Sequence, residues 1–167
     1  PCGKIRIPIN ESADDKSQIE EYLRQYKGEG IQHIALASAD IYHTIRTLRG
    51  RGTGFMPTPD TYYEKVDSRV AGHQEDLAAL KTLRILIDGS PTKDGILLQI
   101  FTDTVIGPVF FEIIQRKGNE GFGEGNFQAL FESIELDQIR RGVLDGSTQG
   151  EVNSAAQGQK NGEPSDA

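Results

Sequence analysis

Two periods organise the chain: alternation of apolar and polar residues, which marks a strand, and recurrence every three or four residues, which marks a helix. The opening "PCGKIRIPIN" alternates over residues 4–9, with Ile5, Ile7 and Ile9 on one face, and predicts a strand. "NESADDKSQIEEYLRQY" reads as a polar loop entering a helix. In it Ile19, Tyr22, Leu23 and Tyr26 share a face, and Gly28 and Gly30 stop the run. "GIQHIALAS" is the next strand. "DIYHTIRTLRGRG" is a helix with Asp40 as N-cap, Ile41, Thr44, Ile45 and Leu48 facing inward and His43 facing solvent. "TGFMPTP" predicts a short strand bounded by prolines, and residues 60–83 a polar, partly helical insertion that carries His73.

Three β-rich runs follow: "RILIDG", "ILLQIFTD" and "PVFFEIIQRK", the last two joined by a hairpin at "TVIGP". A glycine-rich loop, "KGNEGFGEGN", leads into "FQALFESIELDQIRR". There Phe127, Leu130, Phe131 and Ile134 form a helical stripe, with Asn126 as cap. Residues 145–167 hold no aromatic side chain and read as a disordered tail. The order is strand, helix, strand, helical insertion, three strands and a closing helix, an α+β layout with a mostly antiparallel sheet.

Length and composition narrow the function classes. At 167 residues the chain fits one domain, or a domain with a tail. Its net charge of −7 argues against nucleic acid or an anionic membrane as partner. No apolar run approaches the roughly 20 residues of a membrane span. The single cysteine, Cys2, permits no internal disulfide and favours a reducing, cytoplasmic setting. The chain opens inside a strand, and its one methionine is Met56, so it reads as a piece of a longer protein.

Alternation places three polar groups in the middle of apolar strands. His33 shares a face with Ile31 and Ala35, Gln99 with Leu97 and Phe101, and Glu112 with Phe110 and Ile114. Gln32 is turned the other way. A carboxylate between "VFF" and "II" is expensive to bury without a cation. Each residue has a bland reading: His33 as a hydrogen-bonded core histidine, Glu112 as the partner of a distant arginine. Together, a histidine and a glutamate on separate strands make two-thirds of a two-histidine, one-carboxylate iron site. His43, on a solvent face, and His73, in a polar insertion, do not complete it.

Five stretches, "GIQHIAL", "FMPTPDTYY", "ILLQIFT", "FFEIIQR" and "GFGEGNFQALFESIE", closely resemble the C-terminal part of the 4-hydroxyphenylpyruvate dioxygenase family, in this order. The resemblance covers about residues 4–141 and implies a vicinal-oxygen-chelate fold: βαβββ modules (glyoxalase/dioxygenase-like) with a curled mixed sheet and a C-terminal gating helix. It divides the chain into the end of a preceding repeat with its connecting helix (1–28), a final metal-binding repeat with the C-terminal helix (29–144), and the tail. It implies Fe(II) held by His33 and Glu112, with the first histidine upstream of Pro1. It further implies a substrate pocket of Asn10, Gln18, Gln32, Gln99, Phe101, Phe110, Phe122, Asn126, Phe127 and Leu130, with Gln99 also taking part in the chemistry. The implied activity converts 4-hydroxyphenylpyruvate and O2 to homogentisate and CO2 in tyrosine and phenylalanine catabolism, in a cytoplasmic homo-oligomer. The chain alone, lacking one ligand, is expected to be inactive. The alternatives are 4-hydroxymandelate synthase, which shares substrate and metal, and a non-catalytic small-molecule-binding member of the superfamily.

Overall fold

The computed structural model describes residues 6–9, 11 and 18–142. Helix α1 (Gln18–Tyr26) ends at Lys27 and Gly28, both at positive φ, and β1 (His33–Ala37) follows. Helix α2 (Ile41–Gly50) starts where the Asp40 side chain accepts the His43 N–H, the cap its sequence predicts. Three short helices follow: α3 (Asp60–Glu64), α4 (Val66–Arg69) and α5 (Leu77–Leu83). Strands β2 (Leu86–Ser90), β3 (Gly95–Phe101) and β4 (Phe110–Lys117) lead to α6 (Glu124–Arg140).

The four strands form one mixed sheet in the order β1-β4-β3-β2. The first and last strands pair in parallel, while β2, β3 and β4 form the antiparallel meander that the turn signals predict. Between β1 and β2 the chain crosses one face of the sheet through α2–α5. There Ile41 and Ile45 of α2 and Leu80 of α5 meet Ile87, Leu98, Ile100 and Ile113 in one buried cluster. Each such side chain contributes about 1.5–3 kcal/mol by leaving water. The opposite face carries His33, Gln99 and Glu112.

Four expectations need correction. Residues 6–9 form no strand, and Ile7 and Ile9 are 82% and 93% exposed, because no neighbouring strand pairs with them among the described residues. "TGFMPTP" supplies a single bridge, Phe55 to Thr102, since a proline lacks the N–H that a ladder needs. The insertion of residues 60–83, read as polar, supplies much of the core: Tyr62, Tyr63, Val66, Val70, Leu80 and Leu83 are buried in it. Their apolar character is hidden in very short helices, too brief to show a period.

The fourth concerns α6. Its N-cap is Gly123, not Asn126, which lies inside the first turns and is fully buried. Its apolar stripe points outward, with Phe127, Phe131 and Ile134 at 56%, 62% and 45% exposure. The docked face is largely polar. Thr61 Oγ1 donates to the Ser133 carbonyl at 2.7 Å, and the Tyr62 hydroxyl donates to Asn126 Oδ1 at 2.6 Å. Arg140 grips Glu64 with two bonds of 2.7 and 2.9 Å. Only Ala129 and Leu130 add partly buried apolar contact with the core. No helix among the described residues is long and apolar enough to cross a membrane.

Candidate metal and substrate site

The sheet register puts the three mid-strand polar residues on one face. His33 lies opposite Phe110, Phe101 opposite Glu112, and Gln99 opposite Ile114. His33 Nε2 and Glu112 Oε2 are 3.6 Å apart. The imidazole stacks on Phe110, with ring centroids 5.1 Å apart, and Phe101 meets the Phe110 edge at 5.9 Å. Both phenylalanines are half-buried and wall the pair.

Burial sets the electrostatics of this pair. It pushes the Glu112 carboxyl up to about 7, with Arg116 pulling weakly the other way, and it lowers the His33 imidazole. Glu112 Oε1 is buried and finds no hydrogen-bond partner among the described residues. A carboxylate in this state calls for a cation. The imidazole nitrogen and the carboxylate oxygen that face each other are donor types that would hold a divalent ion between them. The donor set fits a divalent ion, but it is partial. Among the described residues no third histidine, cysteine or acid joins it. His43 is exposed on α2, and both His73 nitrogens are taken, by Asp67 at 2.9 Å and the Glu75 N–H at 3.2 Å.

Gln32 departs from the alternation. It precedes the first residue of β1, and its Oε1 lies 3.3 Å from His33 Nδ1. A proton on Nδ1 donates to that oxygen and leaves the Nε2 lone pair toward Glu112, the tautomer a metal ligand requires. Strand periodicity failed here because the strand had not yet begun.

Gln99 is fully buried, and neither its Oε1 nor its Nε2 has a partner among the described residues. It lies directly beneath Gly123, where a Cβ would overlap the amide. Asn126, also fully buried, leaves its Nδ2 unpaired. Two buried amides with open donors and an open acceptor are poor core residues and good ligand contacts. Phe122 and Phe127 are exposed at 42% and 56%, and Leu130 is half-buried against the core. Asn10 and the Gln18 side chain lie outside the described residues. Tyr62, Arg69 and Asp88, which hold the first turn of α6, were not read from the sequence; the paired tyrosines of "DTYY" were the one available signal.

No family model matches the chain. It is 77% identical over 144 residues to a protein named 4-hydroxyphenylpyruvate dioxygenase in Pseudomonas aeruginosa, covering 86% of this chain and 40% of that one. The chain is homologous to the 4-hydroxyphenylpyruvate dioxygenases. A Vibrio vulnificus relative named Hemolysin VllY is 81% identical over 145 residues, covering 87% of this chain and 41% of its own length. This dioxygenase homologue therefore spans about two-fifths of the length of these relatives. Among solved structures, a triple variant of 4-hydroxymandelate synthase from Streptomyces coelicolor superposes with a TM-score of 0.59 at 35% identity. That match covers 72% of this chain and 34% of the other. The mixed sheet of the homologue is a vicinal-oxygen-chelate module, as its motifs imply.

Proposed function

We propose that this chain is part of an Fe(II)-dependent 4-hydroxyphenylpyruvate dioxygenase that converts 4-hydroxyphenylpyruvate and O2 to homogentisate and CO2. The observation that carries this reading is the His33–Glu112 pair, 3.6 Å apart on adjacent strands, with a buried carboxylate oxygen lacking a partner among the described residues. His33 and Glu112 would hold the ion, and a histidine outside this chain would complete the set. Bound Fe(II) supplies open positions where a 2-oxo acid and oxygen meet.

The remaining residues bind, orient and exclude water. Gln99 and Asn126 offer unpaired amide groups to a phenol, which both donates and accepts. Phe101 and Phe110 pack beside the ligands and keep water from reactive species. Gln32 fixes the His33 tautomer. Asn10, Gln18, Phe122, Phe127 and Leu130 would complete the pocket by family resemblance. The proposed setting is a cytoplasmic homo-oligomer acting in tyrosine and phenylalanine catabolism.

Experiments on the chain and on a longer protein containing it test this reading. In anaerobic Fe(II) titration of the chain, weak binding is expected, and His33→Ala or Glu112→Ala removes it; binding that survives both substitutions refutes the ligand assignment. The chain alone should show no oxygen uptake with 4-hydroxyphenylpyruvate, and robust turnover would show that no outside histidine is needed. In a longer protein containing this chain, the product should be homogentisate. Hydroxymandelate would instead establish the synthase reading, which the structural similarity to 4-hydroxymandelate synthase keeps open. Tight substrate binding without turnover in that longer protein would favour the non-catalytic reading.

A further inference from the structure

Three residues outside the metal pair converge on the first turn of α6. Arg69, at the end of α4, touches three elements. Its Nη2 donates its two protons to the Tyr62 hydroxyl at 2.6 Å and the Ile87 carbonyl at 2.8 Å, and lies 3.4 Å from Asn126 Oδ1. Its Nη1 lies 3.4 Å from Asp88 Oδ1, and its guanidinium stands 5.2 Å from the centre of the Tyr62 ring. The Tyr62 oxygen thus accepts from Arg69 and also from the Ile87 N–H at 3.0 Å. Its single proton then goes to Asn126 Oδ1 at 2.6 Å, the nearer choice over the Ile87 carbonyl at 3.1 Å.

This chain of donors decides which way the Asn126 amide faces. The reverse orientation would set an NH2 group against a hydroxyl proton and a guanidinium. Asn126 Nδ2 is therefore the group left to donate elsewhere, and it has no partner among the described residues. Asp88 holds the same turn from below: its Oδ2 accepts the Gly125 N–H at 2.8 Å, so closely that a Cβ on Gly125 would overlap the carboxylate.

We propose that Arg69, acting through Tyr62 and Asp88, is a positioning residue of the site. It turns the Asn126 amide so that its nitrogen faces a phenol oxygen of the ligand, and it sets the first turn of α6 on Gln99. The ligand half of this statement rests on the function proposed above; the clamp does not.

The test uses the full chain, labelled with 15N, as wild type and as Tyr62→Phe, Asp88→Ala and Asp88→Asn. Tyr62→Phe should move the Asn126 side-chain amide resonances and speed their exchange with water about tenfold, with β3 backbone protection retained. Asp88→Ala should speed exchange at the Gly125 N–H about tenfold, and Asp88→Asn, which keeps an acceptor oxygen, should restore it. Unmoved Asn126 resonances in a folded Tyr62→Phe chain overturn the proposal, as does wild-type Gly125 exchange in Asp88→Ala. If Tyr62→Phe loses β3 protection, the Asp88 pair decides alone. Adding 4-hydroxyphenylpyruvate to the wild-type chain should shift the Asn126 side-chain amide. No shift overturns the ligand half while the exchange data still judge the clamp.

Discussion

Replacing Gly125 by alanine sets local helix preference against packing, and the structure says packing wins. Gly125 lies in the first turn of α6, where Gly→Ala by propensity alone would gain up to about 1 kcal/mol. The added methyl, however, falls on the Asp88 carboxylate. Asp88 must then retreat, losing its bond from the Gly125 N–H and its approach to Arg69. A hydrogen bond to a charged group is worth about 1.5–3 kcal/mol, and overpacking costs about 1–3 kcal/mol. The net expectation is a loss of roughly 1.5–5 kcal/mol. Gly50, the last residue of α2, has open space around its Cβ position, and the same substitution there should gain about 0.5–1 kcal/mol. Urea unfolding of the two variants, followed by circular dichroism, checks the pair. A Gly125→Ala chain as stable as Gly50→Ala would refute the close seat of α6 on β2.

Further outcomes follow from single contacts. Leu98 is fully buried in β3, so Leu98→Ala should cost about 2–5 kcal/mol in the same unfolding assay. Asp76 caps α5 by accepting from the Ala78 and Ala79 N–H groups, and Asp76→Ala should cost about 1 kcal/mol, read as a lower unfolding midpoint. The hydrogen bonds from Arg140 hold the Glu64 carboxyl below its usual value, so this contact helps above the ordinary glutamate range and is lost as pH falls through the lowered value. Protection near the C-terminal end of α6, taken as exchange relative to the intrinsic rate at each pH, should therefore fall in acid, and Glu64→Gln should show the lower protection already at neutral pH with little further change.

The sheet was legible because its strands obey one period each. His33, Gln99 and Glu112 each interrupt an apolar run in β1, β3 and β4, and counting by twos gave the face of each within its own strand, while the register of the folded sheet put the three on one face. What failed lacked such a signal. Tyr62, Tyr63 and Val66 are core residues placed by helices of five and four residues, too short for any repeat to show. On α6 the repeat was present but misleading: the apolar stripe of Phe127, Phe131 and Ile134 lies outward, because Asn126 and Ser133 dock the helix through hydrogen bonds. Hydrophobic pattern locates a face that prefers to leave water; it does not detect a face held by specific donors and acceptors. The clamp on Asn126 was invisible for the same reason, since it joins residues 62, 69, 88 and 126 across four elements.

The polar docking of α6 has a thermodynamic corollary. Releasing the helix would exchange protein hydrogen bonds for hydrogen bonds to water, and the helix's own side of the seam holds little hydrocarbon beyond Ala129 and Leu130. Heat-capacity change and denaturant sensitivity both grow with newly exposed surface. Detachment of this helix should therefore have a shallow dependence on temperature and on urea, unlike unfolding of the sheet. It should respond instead to ionic strength, because added salt screens the Arg140–Glu64 and Lys65–Glu132 pairs along its length.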